Sequence, residues 1–181
     1  MMKSRAFALL FAFSNKFNEY VVEAKETGIK LLLPSVNHSN MSFTSIKEDE
    51  ILYGLAHIKG LNSMSAKFII EEASNKQFSD YSDFILRMSK YKLSESQYIA
   101  LIDAGALDEF GLNRATYKAN LTKLLKYASM FGYEKDGQVS FDFEIMDKPK
   151  IIEVKEDDNK LELEKEALGY YVSGFPLEKE R

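Results

Sequence analysis

A glycine turn beside a helical repeat of apolar residues constrains the fold of this chain more than any other feature. Residues 58–66 read Ile-Lys-Gly-Leu-Asn-Ser-Met-Ser-Ala, and Ala66, Ile69, Ile70 and Ala73 fall on one face of a helix. The first N–H groups of a helix lack partners within it and lie at the positive end of its dipole. The sequence therefore predicts a tight turn whose backbone donors face an anion such as a phosphate.

A second turn of the same kind follows later in the chain. A helix carrying Tyr98, Leu101 and Ile102 ends at Gly105, and a new helix begins after Gly111 with Asn113 as its cap. Two short helical pairs bury little apolar surface separately. We therefore expect them to pack together as one tandem helix-hairpin-helix module.

Each residue type at these turns has a physical reason to lie near a phosphate. Gly60 permits a positive φ and a close backbone approach, and Asn62 is expected at a left-handed position, where a second glycine fits most easily. Backbone N–H groups, serine hydroxyls and nearby cations then contact the phosphate. The expected DNA-binding residues are Lys59, Gly60, Leu61, Asn62, Ser63, Ser65 and Lys67 at the first turn, and Gly111, Asn113 and Arg114, in the same roles, at the second.

The alternative interpretation is that both segments are only tight connections between helices, because glycine marks many such turns. Duplication of the turn, with cations beside both copies, favours the phosphate interpretation.

Composition and charge restrict the possible functions. The chain has 181 residues, of which 45% are apolar, with no cysteine and two histidines, so a metal or disulfide site is not expected and no cofactor is predicted. It lacks a long apolar run, which favours a cytoplasmic setting without a membrane partner. The net charge is −4, but residues 54–127 are net +2 and residues 128–181 net −6. Any contact with nucleic acid should therefore come from the middle of the chain.

The remaining pattern predicts a mainly α fold with a small β element. A helix with Phe17 and Val21 on its apolar face should start at Ser14 or Asn15 and end at Gly28. Short strands are expected at 29–33 and 51–55, Ser79 should open another helix, and Ser94 with Gln97 has the spacing of a capping box. Residues 1–13 are too apolar for a free surface and suggest an edge of a larger protein.

Several segments resemble successive landmarks of the bacterial DNA polymerase III alpha subunit, a C-family replicative polymerase. They are residues 28–39, 53–60, 101–114 and 166–177, in that family's order and covering nearly the whole chain. The resemblance implies that residues 1–50 end the fingers region and that residues 51–130 are a tandem helix-hairpin-helix DNA-binding domain. It implies that residues 131–181 form an acidic linker toward an absent OB-fold. Asn62 stands where the family usually has a second glycine, and Phe175 where histidine is common.

This family catalyses DNA-directed nucleotidyl transfer in DNA replication, with Mg²⁺ held by acidic residues of a palm region. The present sequence has no Asp-x-Asp motif and no Gly-x-x-x-x-Gly-Lys-Ser/Thr loop, so this piece alone is not expected to be an enzyme. The acidic neighbours Asp108-Glu109 and Asp157-Asp158 are expected at the surface. The partners implied are duplex DNA, a sliding clamp and the remainder of the polymerase chain, without a small-molecule substrate.

The acidic tail contains a segment that resembles the clamp-binding peptide of the same family. Residues 132–137 are expected to be a flexible link, and Gln138, Phe141 and Phe143 follow as the clamp-binding residues. The alternative is a strand that packs Val139, Phe141 and Phe143 into its own core. Two functions stay open: backbone binding of duplex DNA without sequence specificity, and an adapter that docks the clamp while the hairpins are purely structural.

Overall fold

The structure is a computed structural model that describes residues 2–142 and 146–175. The fold is mainly α with a small β element, as the sequence predicted. The helices are α1 (Met2–Phe13), α2 (Phe17–Glu26), α3 (Ser63–Asn75), α4 (Tyr81–Met88), α5 (Glu95–Asp103), α6 (Arg114–Phe131) and α7 (Lys160–Leu168). The strands are β1 (Lys30–Leu32), β2 (Thr44–Lys47), β3 (Glu50–Leu52), β4 (Gly132–Lys135) and β5 (Gln138–Phe141).

The first part of the chain forms a three-stranded sheet covered by α1 and α2. The strand order is β1-β3-β2, with β1 parallel and β2 antiparallel to β3. Both strands expected from the sequence are present, although β3 ends at Leu52 and Leu55 begins a short 3-10 turn. Phe11, Phe43 and Tyr53 form edge-to-face aromatic contacts that fasten α1 to the sheet. Leu9 and Phe13 of α1 remain exposed, at 62% and 84%.

Helix starts differ from the sequence prediction in two places. Helix α2 begins after Lys16, which has no side-chain cap, and the Ser14 hydroxyl accepts a hydrogen bond from the Lys16 N–H instead. Helix α4 is capped by Asp80 rather than Ser79, because the Asp80 carboxylate accepts from the Asp83 N–H at 2.7 Å. At α4 the Asp80 carboxylate thus satisfies a helix donor, whereas at α2 Ser14 only caps the turn before the helix.

The predicted capping box at Ser94 and Gln97 is wrong. Ser94 precedes α5 without a side-chain cap, and its hydroxyl pairs with that of Ser96. The Gln97 amide oxygen instead accepts from the Asn62 N–H at 3.3 Å, which ties α5 to the turn before α3. A long-range partner has replaced the local one.

The main apolar core is continuous from α1, α2 and the three-stranded sheet through helices α3 to α6 to α7. Tyr81, Tyr98 and Tyr117 are fully buried there, and the Tyr81 hydroxyl donates to the Tyr117 carbonyl while that of Tyr117 donates to Leu107. Burial raises the pKa of Tyr117 to about 12, so the hydroxyl stays neutral and can donate. These bonds hold the loop before α6 in place.

Residues 132–137 are not the flexible link that was expected. Strands β4 and β5 pair in an antiparallel hairpin whose turn contains Gly137 at φ +75°. The Phe141 ring stacks on Tyr127 of α6, with ring centroids 5.7 Å apart, and contacts a small cluster that includes Leu86. The hairpin is therefore packed against α4 and α6.

The acidic tail also packs against the helices. Residues 150–157, called the strap below, run along α6 and hydrogen-bond to its side chains. Helix α7 follows, and its Leu168 carbonyl accepts from the Tyr53 hydroxyl at 2.7 Å. In the described ranges, none of the helices combines the length and apolar character needed to cross a membrane.

Candidate nucleic-acid interface

Gly60 forms the sharp bend of the first hairpin, as predicted. Its φ is +91°, a left-handed value that L side chains rarely adopt. A Cβ atom there would lie 3.2 Å from the Cβ of Ala100 on α5, so space is limited as well. Leu61, the next residue, is buried at 7% and anchors the turn in the core. The bend therefore directs the chain into α3 with only glycine able to fit without strain.

The expectation that Asn62 adopts a left-handed conformation is wrong. Asn62 is extended, with φ −80° and ψ 158°, and its side-chain oxygen accepts from the Ser65 N–H at 2.8 Å. It is thus the N-cap of α3, a role in which asparagine is among the preferred residues. Ser65 is 5% exposed and its N–H donates to Asn62, so its amide is not available to a phosphate.

The first two residues of α3 are exposed and their backbone N–H groups lack a partner among the described residues, as was predicted for the turn. Within the described ranges, the N–H groups of Ser63 and Met64 have no hydrogen-bond acceptor. Both residues are exposed, as are Lys59 before the bend and Lys67 one turn into the helix. The first hairpin thus presents two backbone donors with lysines in the flanking sequence.

The second hairpin has the same backbone design. Gly111 has φ +83° with no atom within 4 Å of a Cβ placed there. Asn113 is extended at φ −75° and ψ 160°, and its side-chain oxygen accepts from the Thr116 N–H at 2.8 Å. Its predicted role as a helix cap is confirmed, whereas a left-handed role like that expected of Asn62 is wrong.

Arg114 does not flank the second turn as an exposed cation. Its guanidinium is 3% exposed and donates to Asp108 at 2.8 and 3.1 Å and to Glu164 at 2.8 Å. Burial alone disfavours the charged form, but these two carboxylates outweigh it and raise the pKa of Arg114. This arginine joins the second hairpin to α7 and is unavailable to an external phosphate.

The amides at the start of α6 are occupied by a side chain from the strap. The Glu156 carboxylate accepts from the N–H of Arg114 at 3.0 Å and from that of Ala115 at 2.9 Å. Partial burial disfavours its charged form, yet these N–H groups and that of Asp157, with Lys160 nearby, lower the pKa of Glu156. Sequence reasoning missed this residue because nothing in its neighbourhood marks it among the other acidic residues of the tail.

The acidic neighbours do not converge on a possible metal site. Asp108 binds Arg114, and Glu109 accepts from Ser35 and from Asn37. In the part of the chain that is described, no three His, Asp or Glu side chains gather closely enough to hold an ion.

Of the possible clamp-binding residues that the structure describes, one is exposed and the other is half-buried. Gln138 is exposed at the start of β5, whereas the Phe141 ring is half-buried against Tyr127. Phe143 lies outside the described residues. The packing of Phe141 agrees with the alternative of a strand on its own core.

Two glycine bends, each followed by an asparagine-capped helix, define a helix-hairpin-helix protein. Residues 28–117 match the family described as the helix-hairpin-helix motif. The chain is also 37% identical to DNA polymerase III subunit alpha of Bacillus subtilis (strain 168) over 166 residues, which is 90% of this chain and 15% of that protein. With the same subunit of Thermus aquaticus it shares 37% over 168 residues, or 91% of this chain and 14% of that one.

A third relative is the same subunit from another organism. DNA polymerase III subunit alpha of Aquifex aeolicus (strain VF5) is 35% identical over 170 residues, 91% of this chain and 13% of that protein. Over 90% or more of its length the chain is therefore similar to the DNA polymerase III alpha subunit. It spans between 13% and 15% of the length of these relatives, so the match concerns one stretch of a much longer protein.

Proposed function

We propose that this chain binds the sugar-phosphate backbone of duplex DNA without sequence specificity, as part of a DNA polymerase III alpha subunit in DNA replication. The observation that carries the proposal is the pair of unpaired N–H groups at Ser63 and Met64, described above, with exposed Lys59 and Lys67 in the flanking sequence. Backbone amides and lysines recognise phosphate oxygens, which are the same at every base pair. The binding is therefore independent of sequence and weakened by salt.

The distribution of charge agrees with a small contact rather than a broad basic surface. The whole chain is net −4, and only its middle is net positive. A single hairpin that contacts a few phosphates binds weakly by itself. In the polymerase, this module adds to the grip of the remaining protein on the duplex through effective concentration.

In this proposal the chain contributes binding, while nucleotidyl transfer and its Mg²⁺ belong to the rest of the polymerase. Residues 1–50 correspond to the end of the fingers and residues 51–130 to the hairpin domain. Residues 131–181 follow as an acidic segment, of which 150–157 and α7 lie against the hairpins. The setting is the bacterial cytoplasm.

Fluorescence anisotropy with two labelled duplexes of unrelated sequence tests the proposal. We expect similar affinities for both, each falling as salt rises. The double variant Lys59→Ala/Lys67→Ala should bind more weakly and with a salt slope shallower by about 1 to 2. The matched control Lys3→Ala/Lys47→Ala removes the same charge from α1 and β2 and should bind like wild type. Arg114 is left unchanged because it is buried. A strong preference for one duplex, or equal binding by both double variants, contradicts the proposal.

A second candidate is docking to the sliding clamp through Gln138, Phe141 and Phe143. It is favoured by the exposure of Gln138 on a hairpin. Docking requires the Phe141 ring to leave Tyr127, which costs part of its buried area, so we rank this function below DNA binding. Calorimetry with purified clamp tests it: Phe141→Ala/Phe143→Ala should abolish binding, whereas Val139→Ala should reduce it little. Unchanged affinity of the double variant removes the candidate.

A further inference from the structure

We infer that Glu156 is an internal competitor for the phosphate at the second hairpin, so that this hairpin accepts a nucleic-acid phosphate only when the strap is displaced. The inference rests on the proposed DNA binding and concerns the regulation of that site. The two hairpins have the same backbone geometry, but the first two helix amides have no acceptor among the described residues at the first hairpin and are occupied by Glu156 at the second.

The first step is the equivalence of the two hairpins. In each, an asparagine caps the helix and its side-chain oxygen accepts from the third helical N–H at 2.8 Å, which leaves the first and second N–H groups. At α3 these belong to Ser63 and Met64, which have no acceptor within the described residues. At α6 the same two positions, Arg114 and Ala115, donate to Glu156.

The second step is the chemistry of the bound group. Each oxygen of the Glu156 carboxylate takes one of the two amides, at 3.0 and 2.9 Å, and one of them also accepts from the Asp157 N–H at 3.1 Å. A phosphate diester presents two charged oxygens and prefers the same donors at the positive end of a helix. The carboxylate and a phosphate therefore cannot occupy these amides together.

The third step is how the strap is held. Val154 and Ile152 exchange backbone hydrogen bonds with the side chains of Thr116 and Asn120 at 2.8 to 3.2 Å, and Asn113 donates to the Val154 carbonyl at 2.7 Å. The apolar side chains of Ile152 and Val154 are 66% and 39% exposed. Ile151 packs against the core, but the attachment from Ile152 to Glu156 is polar, and water can replace it when this part of the strap moves away.

Charge gives the strap its competitive strength. Glu153, Glu156, Asp157 and Asp158 follow each other closely in the chain. With Lys155 between them, these four carboxylates leave residues 153–158 net negative, which disfavours a nearby phosphate, and only displacement of Glu156 exposes the donors. The first hairpin therefore binds DNA with its amides already available, and the second adds its contact afterwards.

Anisotropy with one labelled duplex, titrated with salt, tests the inference on the full chain. Glu156→Gln weakens the competing acceptor, and we expect about threefold to tenfold tighter binding with a salt slope steeper by about 1. Glu153→Gln is the matched control, because it removes the same charge from the strap without a bond to α6. It should change the affinity less than about twofold.

A second variant, Glu156→Asp, distinguishes occupation of the α6 amides from charge repulsion of the phosphate. It also serves as the test if Glu156→Gln folds poorly. Glu156→Asp keeps the charge but is shorter by one methylene, so the bidentate contact is lost. We expect it also to bind DNA more tightly than wild type. Equal affinities of wild type, Glu156→Gln and Glu156→Asp overturn the inference while leaving the proposed function intact. Failure of wild type and all variants to bind the duplex instead overturns the proposed function.

Discussion

Arg114 and Glu164 form an ion pair that is almost completely removed from solvent: Nη1 and Oε2 are 2.8 Å apart, and the side chains are 3% and 0% exposed. Asp108 holds the other edge of the guanidinium, and Ser173 donates to Glu164 from its backbone and hydroxyl. The pair connects the start of α6 with the middle of α7. The second hairpin is therefore fixed to the acidic end of the chain, not only to its neighbouring helices.

Glu164→Gln should lower the free energy of unfolding by about 3 kcal/mol, because it leaves the buried Arg114 charge with one carboxylate instead of two. Urea denaturation monitored by circular dichroism measures the change. Lys47→Ala, in an exposed pair with Glu50 at 3.3 Å, is the control and should cost less than about 1 kcal/mol. A loss below 1 kcal/mol for Glu164→Gln contradicts the assigned role of the pair.

Gly60→Ala should destabilise the protein more than Gly111→Ala does. Both glycines have positive φ, at +91° and +83°, so each alanine costs about 1 kcal/mol or slightly more in backbone strain. At Gly60 the added methyl also meets Ala100 at 3.2 Å, whereas the space at Gly111 is open. Thermal unfolding of the two variants gives the comparison, and a reversed order refutes the geometry of the first bend.

Asn62→Ala and Asn113→Ala each remove a helix cap and should cost about 1 kcal/mol. Asn113 also donates to the Val154 carbonyl at 2.7 Å, so its replacement should loosen the strap as well. Amide hydrogen exchange reports this difference: exchange within the strap should accelerate in Asn113→Ala and stay unchanged in Asn62→Ala. Equal exchange in the two variants argues against attachment through Asn113.

The contribution of Glu156 to stability should disappear in acid. Its pKa is lowered below the ordinary value of 4.5 by the amides that it accepts from, so the folded state binds the proton less readily than the unfolded state does. The stabilisation is present above that ordinary pKa, which the unfolded state keeps, and is lost as the pH falls through the lower folded value. The gap in unfolding free energy between wild type and Glu156→Gln should therefore close below that value. Urea titrations from neutral pH into acid measure it, and a gap that persists at the lowest pH contradicts the bidentate contact.

Local patterns predicted most of the helices because they depend on spacing within a few residues. Gly60 and Gly111 have the positive φ values expected, and Asn113 caps its helix as expected. The error at Asn62 is also local: an asparagine fits either a left-handed turn or an N-cap, and the position one residue before α3 selects the cap. Residue type alone does not separate these roles.

The side-chain contacts within the candidate site could not be predicted, because they join residues that are far apart in the chain. Glu156 meets Arg114 across 42 positions and Glu164 meets it across 50. An arginine beside a glycine turn has the same sequence pattern whether it faces solvent or a buried carboxylate. Gln97 shows the same limit, since its partner Asn62 lies 35 positions away. Pairings of this kind follow from tertiary packing rather than from periodicity.

Helix α7 contacts both hairpins within one turn of its length. Its Glu164 holds Arg114 of the second hairpin, and three residues later the Ala167 carbonyl accepts from the Lys59 N–H of the first, at 2.9 Å. Glu164 and Ala167 are about 4.5 Å apart along the helix axis. Helix α7 is therefore a short rigid connection between the two hairpins. The turn before α3 and the start of α6 are thus tied to one rigid element, and a shift of α7 would move both hairpins together.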